Sequence, residues 1–194
     1  MNKLKIVIPL IFLTSCQSDY FSLLAESPQR IINSFKSYSP GEDYIQNQQY
    51  SFISVELGQQ NATLVLESID EDIFTWVGRG NVVFKTYKGF IISTLGLEHN
   101  FEIVDPIVSI DKFLIDKSDD LFYNFDNPRL YELQVAKITS FHSKDQIDVS
   151  LTSNDINWDV EIRIKYDVKG LPEELEQSLH PFLKPAKIKF FYKF

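Results

Sequence analysis

From Ile156 to Val168 the chain reads INWDVEIRIKYDV; every even-numbered position is apolar or aromatic and every odd-numbered one is polar or charged. Successive side chains of a strand point to opposite faces, so this period of two specifies a strand with one buried and one wet face. A helix would scatter the same apolar residues around its circumference. Such a strand needs neighbours to pair with and a second layer over its apolar face.

Other runs supply them. Tyr50 to Leu57, Ala62 to Glu67, Ile73 to Val77, Val82 to Thr86, Phe90 to Leu95, Tyr131 to Phe141 and Lys187 to Phe194 have strand composition. Turn signals separate the earlier ones: Gly58-Gln59-Gln60-Asn61, Asp70-Glu71-Asp72, Gly78-Arg79-Gly80-Asn81 and Tyr87-Lys88-Gly89. Asp119-Asp120 and Asp126-Asn127-Pro128 are turn material as well. Short runs with regular turns predict antiparallel hairpins in a meander. The expected fold is mostly β, a meander forming a curved sheet, a sandwich or a partly open barrel. Leu171 to Leu179, with Pro172 in its first turn and acids near its start, reads as a short helix near the C-terminus.

The beginning of the chain follows a different pattern. Lys3 and Lys5 precede an apolar run, Ile6 to Leu13, that ends in Leu13-Thr14-Ser15-Cys16. A positive start, a short apolar stretch and a small-residue cleavage site make a secretory signal peptide. The run is shorter than the roughly 20 apolar residues that span a bilayer. Cys16 is the only cysteine in the chain, and LTSC is similar to the lipobox at which bacterial lipoproteins are acylated and cut. Acyl chains hold to a membrane by about 0.8 kcal/mol per buried CH₂. The residue after Cys16 is Gln17 rather than an inner-membrane retention aspartate, which favours the outer membrane.

Between Asp19 and Tyr38, Phe21, Leu24, Ile31, Ile32 and Phe35 fit a helical stripe that Pro28 divides, with Ser27 as an N-cap. Ser39-Pro40-Gly41 closes this segment as a turn. It reads either as a tether or as a helix packed on the domain that follows. Without residues 1–15 the chain keeps 17 basic against 27 acidic side chains, a balance of −10. That charge removes any electrostatic case for nucleic acid. With 44% hydrophobic and 14% aromatic residues, the remainder can bury one substantial core.

The stretch from Tyr44 to Val104 resembles the YjbF/GfcB family of bacterial lipoproteins, encoded with exopolysaccharide and group 4 capsule genes. The likeness runs through Tyr50 and the strand to Leu57, Leu64-Val65-Leu66, Trp76, Val82-Val83-Phe84, and Lys88-Gly89-Phe90-Ile91-Ile92-Ser93-Thr94-Leu95-Gly96-Leu97. It covers about a third of the chain, in residues of structural type; the tail beyond Asp167 matches loosely. The resemblance implies a mostly antiparallel β domain needed to make or export a surface polysaccharide, and it carries over no catalytic residue.

Candidate chemistry is sparse. His99, His142 and His180 lack metal-ligand spacing, so no metal and no cofactor is expected. Asp70, Glu71, Asp72, Asp119 and Asp120 are the candidates for the acid and base of a glycosidase, but they fall in turns, where solvated acids are ordinary. Trp76 and Trp158 are the candidates for stacking on sugar rings, although both occupy positions that fit the buried face of a strand. Alternating aromatics up to Phe194 also resemble the closing strand of an outer-membrane barrel, whose strands need 9–11 residues; several runs here are shorter.

The resulting expectation has three parts: a lipoprotein signal peptide at 1–15, a lipidated N-terminus and helical tether at 16–42, and a periplasmic β domain at 43–194. Cys16 carries the lipid. The chain acts without catalysis as an accessory factor in exopolysaccharide or capsule production, lipid-anchored in the outer membrane and facing the periplasm. Its partners are that membrane and other polysaccharide-export proteins. The alternative is a periplasmic carrier or sensor holding an acyl chain or glycan in a β-sheet cavity.

Overall fold

The computed structural model describes residues 41–115 and 120–194. Twelve strands occupy most of them: β1 (Phe52–Leu57), β2 (Gln60–Asp70), β3 (Ile73–Val77), β4 (Val83–Tyr87), β5 (Phe90–Leu95) and β6 (Phe101–Ile103). The second six are β7 (Asp120–Asp126), β8 (Arg129–His142), β9 (Gln146–Ser153), β10 (Trp158–Tyr166), β11 (Pro172–Gln177) and β12 (Ala186–Phe191). Each pairs antiparallel with the next, and β12 returns to β1 through Phe52↔Phe191 to Leu57↔Ala186, closing a barrel. The expected antiparallel meander thus forms a curved sheet that goes further than a partly open barrel and closes completely, with no second sheet among the described residues to make a sandwich. The row of alternating residues in β12 meets that of β1 in register, which satisfies the two edges that an open meander would leave bare.

Because the strands run up and down, the barrel has two distinct ends. The near end holds both termini of the described chain, the β2–β3, β4–β5, β8–β9 and β10–β11 turns, and the β6–β7 connection. The far end holds the β1–β2, β3–β4, β5–β6, β7–β8, β9–β10 and β11–β12 connections. Two α-helices belong to the near end: α1 (Glu42–Asn47), whose Tyr44 sets its ring edge against Phe52, and α2 (Pro106–Leu114).

The interior is filled. Trp76, Phe84, Phe90, Phe113, Tyr123, Leu64, Val160 and Ile164 are all wholly inaccessible. A void wide enough for an acyl chain would leave such residues accessible to solvent on the inside. Trp76 donates its Nε1–H to Thr86 Oγ1 at 2.9 Å and packs against Phe74, Phe190 and Tyr192, so its one polar atom is satisfied inside the core.

One polar side chain crosses that core. Between β4 and β5 the register shifts so that Ile92 is an extra residue, a bulge beside Ile91. Gln177 on β11, itself fully buried, reaches the Ile91 backbone. Its Oε1 accepts the Ile91 N–H at 2.8 Å, and its Nε2 donates to the Ile91 carbonyl at 3.0 Å. β5 and β11 are not neighbours in the sheet, so the amide is a strut across the barrel.

The short helix expected over Leu171 to Leu179 is instead strand β11. Glutamate favours helix weakly, and tertiary context outweighs it here. Leu175 and Gln177 are buried, while Glu174 and Glu176 face outward among cations of the neighbouring strands. Lys165 Nζ lies 2.8 Å and Lys189 Nζ 3.6 Å from Glu174; Arg163 lies 3.7 Å from Glu176. Pro172 opens the strand, where its missing N–H is tolerated. Asp120, expected in a turn, begins β7 and accepts a hydrogen bond from Gln134 across the ladder.

These outward charges set the polarity of the wall. Along β9 to β12 it carries Asp148, Arg163, Lys165, Glu174, Lys187 and Lys189 in cross-strand ion pairs. An outer-membrane barrel turns apolar residues outward, and a Lys or Arg there costs about 2–4 kcal/mol at mid-bilayer. The fold closes like a membrane barrel, but with the opposite polarity.

α2 lies across the near end. Sequence reading missed it, although Asp105-Pro106 opens it and Ile107, Ile110, Phe113 and Leu114 recur at helical spacing. Ile110 and Phe113 are buried, the latter edge-on to Phe90. Asp111 accepts from Lys88 Nζ at 2.7 Å and Tyr87 Oη at 3.0 Å, and the Lys88 contact holds its carboxyl below the usual range. Tyr166 Oη donates to the Lys88 carbonyl at 2.9 Å, and burial pushes this phenol up to about 12.

Candidate functional site

At the far end two histidines from distant connections meet. His99 sits between β5 and β6, His180 between β11 and β12, and their rings stack with centroids 4.7 Å apart and 19° between planes. The spacing in sequence gives no hint of this contact, because the closed barrel alone brings those connections together. His142, the third histidine, ends β8 at the opposite, near end.

The pair is held rigidly. His99 Nδ1 donates to the Asn127 carbonyl at 2.6 Å. Asn100 ties the same connection to the β7–β8 turn: its backbone N–H and its Nδ2 donate to the two Asp126 carboxylate oxygens at 2.8 and 2.6 Å. The β5–β6 connection begins at Gly96, whose φ of +82° suits glycine, and a Cβ there would stand 2.6 Å from the Asn81 carbonyl oxygen. Gly96→Ala is accordingly expected to destabilise the protein by about 1–2 kcal/mol from backbone strain alone, read as a lowered urea midpoint. An unchanged midpoint would show that the β3–β4 and β5–β6 connections yield freely.

His180 is 1% exposed, with the Phe125 ring edge-on at 4.6 Å and Phe182 at 5.3 Å. Its Nδ1 accepts the Phe182 N–H at 3.2 Å; in the neutral ring the proton then sits on Nε2. That atom is enclosed and has no hydrogen-bond partner. Burial, with the neighbouring His99 ring adding to it, holds the His180 pKa down at about 4. Tyr123 Oη and Ser153 Oγ are likewise enclosed without partners, and both belong to the interior beneath this cluster. Phe182 itself is 68% exposed and borders a groove of about 240 Å³ with Leu57, Gln59, Gln60, Glu98 and Lys184. A solvent-facing aromatic ring flanked by amides and one charge of each sign can hold a polar ligand or a partner loop by contact. His180, stacked on His99, keeps its Nε2 enclosed and out of contact with bulk water.

The residues singled out from sequence fall elsewhere. Trp76 is inside the barrel, and Trp158 is 7% exposed against Tyr123 and Phe125, so a sugar ring would have to enter the core to stack on either. Asp70, Glu71 and Asp72 lie at the exposed β2–β3 turn of the near end. Among the described residues no group of three His, Cys, Asp or Glu side chains converges as a metal site would. Cys16, the segment Asp19 to Tyr38 and Asp119 lie outside the described residues.

The fold and this end define a class: a closed, twelve-stranded, up-and-down antiparallel barrel with a packed interior, a charged wall and its distinctive residues on the connections. The crystal structure of the hypothetical lipoprotein YmcC from Escherichia coli has a similar fold. It superimposes with a TM-score of 0.56 over 91% of this chain and 97% of that one, at 16% sequence identity. The sequence matches no protein-family model, and a search of curated proteins finds no match.

Proposed function

We propose that the chain is an outer-membrane lipoprotein, acylated at Cys16, whose barrel serves as a non-catalytic accessory factor in making or exporting a surface polysaccharide. The observation that carries this reading is a coincidence of two independent features. The sole cysteine stands in LTSC behind a signal-like apolar run, and the domain that follows is similar in fold to a hypothetical lipoprotein. The resemblance of Tyr44 to Val104 to the YjbF/GfcB family supports the polysaccharide role. The wholly inaccessible interior favours action through the surface over carriage of an acyl chain inside the barrel.

The test is the surface polysaccharide of a strain carrying Cys16→Ala in place of the native protein, beside a clean deletion. Loss of polymer in both, at equal protein levels, supports an export role that depends on membrane tethering. Unchanged polymer in both removes the polysaccharide role.

A further inference from the structure

We propose that the near end of the barrel is a membrane-contact face, seated in the headgroup layer of the phospholipid bilayer that holds the lipid anchor. The inference rests on the reading of Cys16 as an acylated residue. Its own observation is how exposed apolar side chains are distributed. Tyr50, Ile69, Val108, Phe141, Val168 and Phe194 all stand on or beside near-end connections, each between 50% and 98% exposed. They come from six separate segments that share only this end. Scattered surface hydrophobes are ordinary, but these gather where the chain leaves the barrel toward Cys16. Among the described residues the far end exposes Leu95, Tyr131 and Phe182, the last within the histidine cluster.

The occupant follows from three facts. Residues 16 to 41 reach at most about 94 Å even fully extended, so an acylated Cys16 confines the near end to the neighbourhood of one bilayer. Tethering turns weak single contacts into an intramolecular equilibrium, so a few apolar side chains suffice. The near end is also tied together: Lys88 bonds Asp111 of α2, and Tyr166 bonds the Lys88 carbonyl. Its charges are mixed, with Glu71, Asp72, Asp145 and Asp167 beside Lys144 and Lys169. Apolar insertion rather than attraction to anionic lipid therefore makes the contact, and salt should have little influence on it. The charged wall stops the barrel from sinking further.

Acylation consumes the only native thiol, so a second cysteine can be labelled alone. The lipidated full-length chain is reconstituted in phosphatidylcholine vesicles, with or without phosphatidylglycerol, as Ile69→Cys, Phe141→Cys, Val168→Cys, Leu95→Cys or Phe182→Cys. Each variant carries an environment-sensitive fluorophore, and some of the lipid carries a headgroup-depth quencher. Severalfold stronger quenching of the three near-end probes than of the two far-end ones, equal in both lipid mixtures, is the expected result. Membrane-bound protein with unquenched near-end probes, or with both ends quenched alike, overturns the proposal. So does shielding of the near-end probes that grows with protein concentration without vesicles, which would assign this face to a second copy of the chain. A chain with no acyl mass, taking a second label on Cys16, removes the lipoprotein reading and this inference with it.

Discussion

Gln177→Leu is expected to destabilise the barrel by roughly 2–6 kcal/mol, because each buried backbone group left unsatisfied costs about 1–3 kcal/mol. Leucine fills nearly the same volume, so the loss is one of hydrogen bonds rather than of packing. The buried Ile91 N–H and carbonyl, beside the β5 bulge, both bond to the Gln177 amide. The measurement is the urea midpoint of the variant against the native chain, with the slope checked for two-state behaviour. A shift under about 0.5 kcal/mol would mean that the bulge relaxes and re-pairs β4 with β5. The consequence extends past stability, since this amide joins β5 to β11 on opposite sides of the barrel through its buried interior.

Acidification should weaken the fold through His180 before the carboxylates titrate. Burial favours its neutral form, so the folded pKa of about 4 lies below the ordinary value of 6.5. A group shifted in this direction contributes stability that is fully present above pH 6.5 and is lost as pH falls toward 4. Between pH 7.5 and pH 5 the expected loss is about 2 kcal/mol, at 1.36 kcal/mol per pH unit below 6.5. The carboxyls of Asp111 and Glu174, held low by Lys88 and Lys165, lose their contribution only below the usual carboxylate range. His180→Phe, which keeps a ring against Phe125, should flatten the stability profile over that interval, whatever its effect at pH 7.5. Equal slopes for variant and native protein would show that His180 is hydrated and titrates normally. The groups facing it are His99, stacked on its ring, and Asp126, whose charge acts the other way. Protonation of His180 would put a charge inside the enclosed stack, so opening of this end is the structural readout, visible as faster amide exchange at Phe182.

How much of this was legible beforehand depends on the range over which each feature is encoded. β10 and its neighbours could be read directly: Trp158, Val160, Ile162 and Ile164 are buried as the period of two demands. β9 has the same alternation in Ile147, Val149 and Leu151, but its flanks are polar and its apolar run too short to stand out in sequence. β11 misled because its glutamates suit a helix locally, and only the lysines and arginine of β10 and β12 make them strand residues. His99 and His180 carried no signal of proximity, since 81 positions separate them.

The sequence by itself determined the parts whose information is local. These are the signal-like start ending at Cys16, the strand-forming runs, the turns between them and the acidic, core-forming composition. Tertiary structure alone decided that β12 returns to β1, that Gln177 spans to Ile91, that two histidines stack, and that exposed apolar residues collect at one end. Side-chain alternation is imposed by the chain's own geometry and can be read in any short window. Pairing between distant segments depends on which edges and unsatisfied groups remain when all the strands are assembled, and no single window contains that competition.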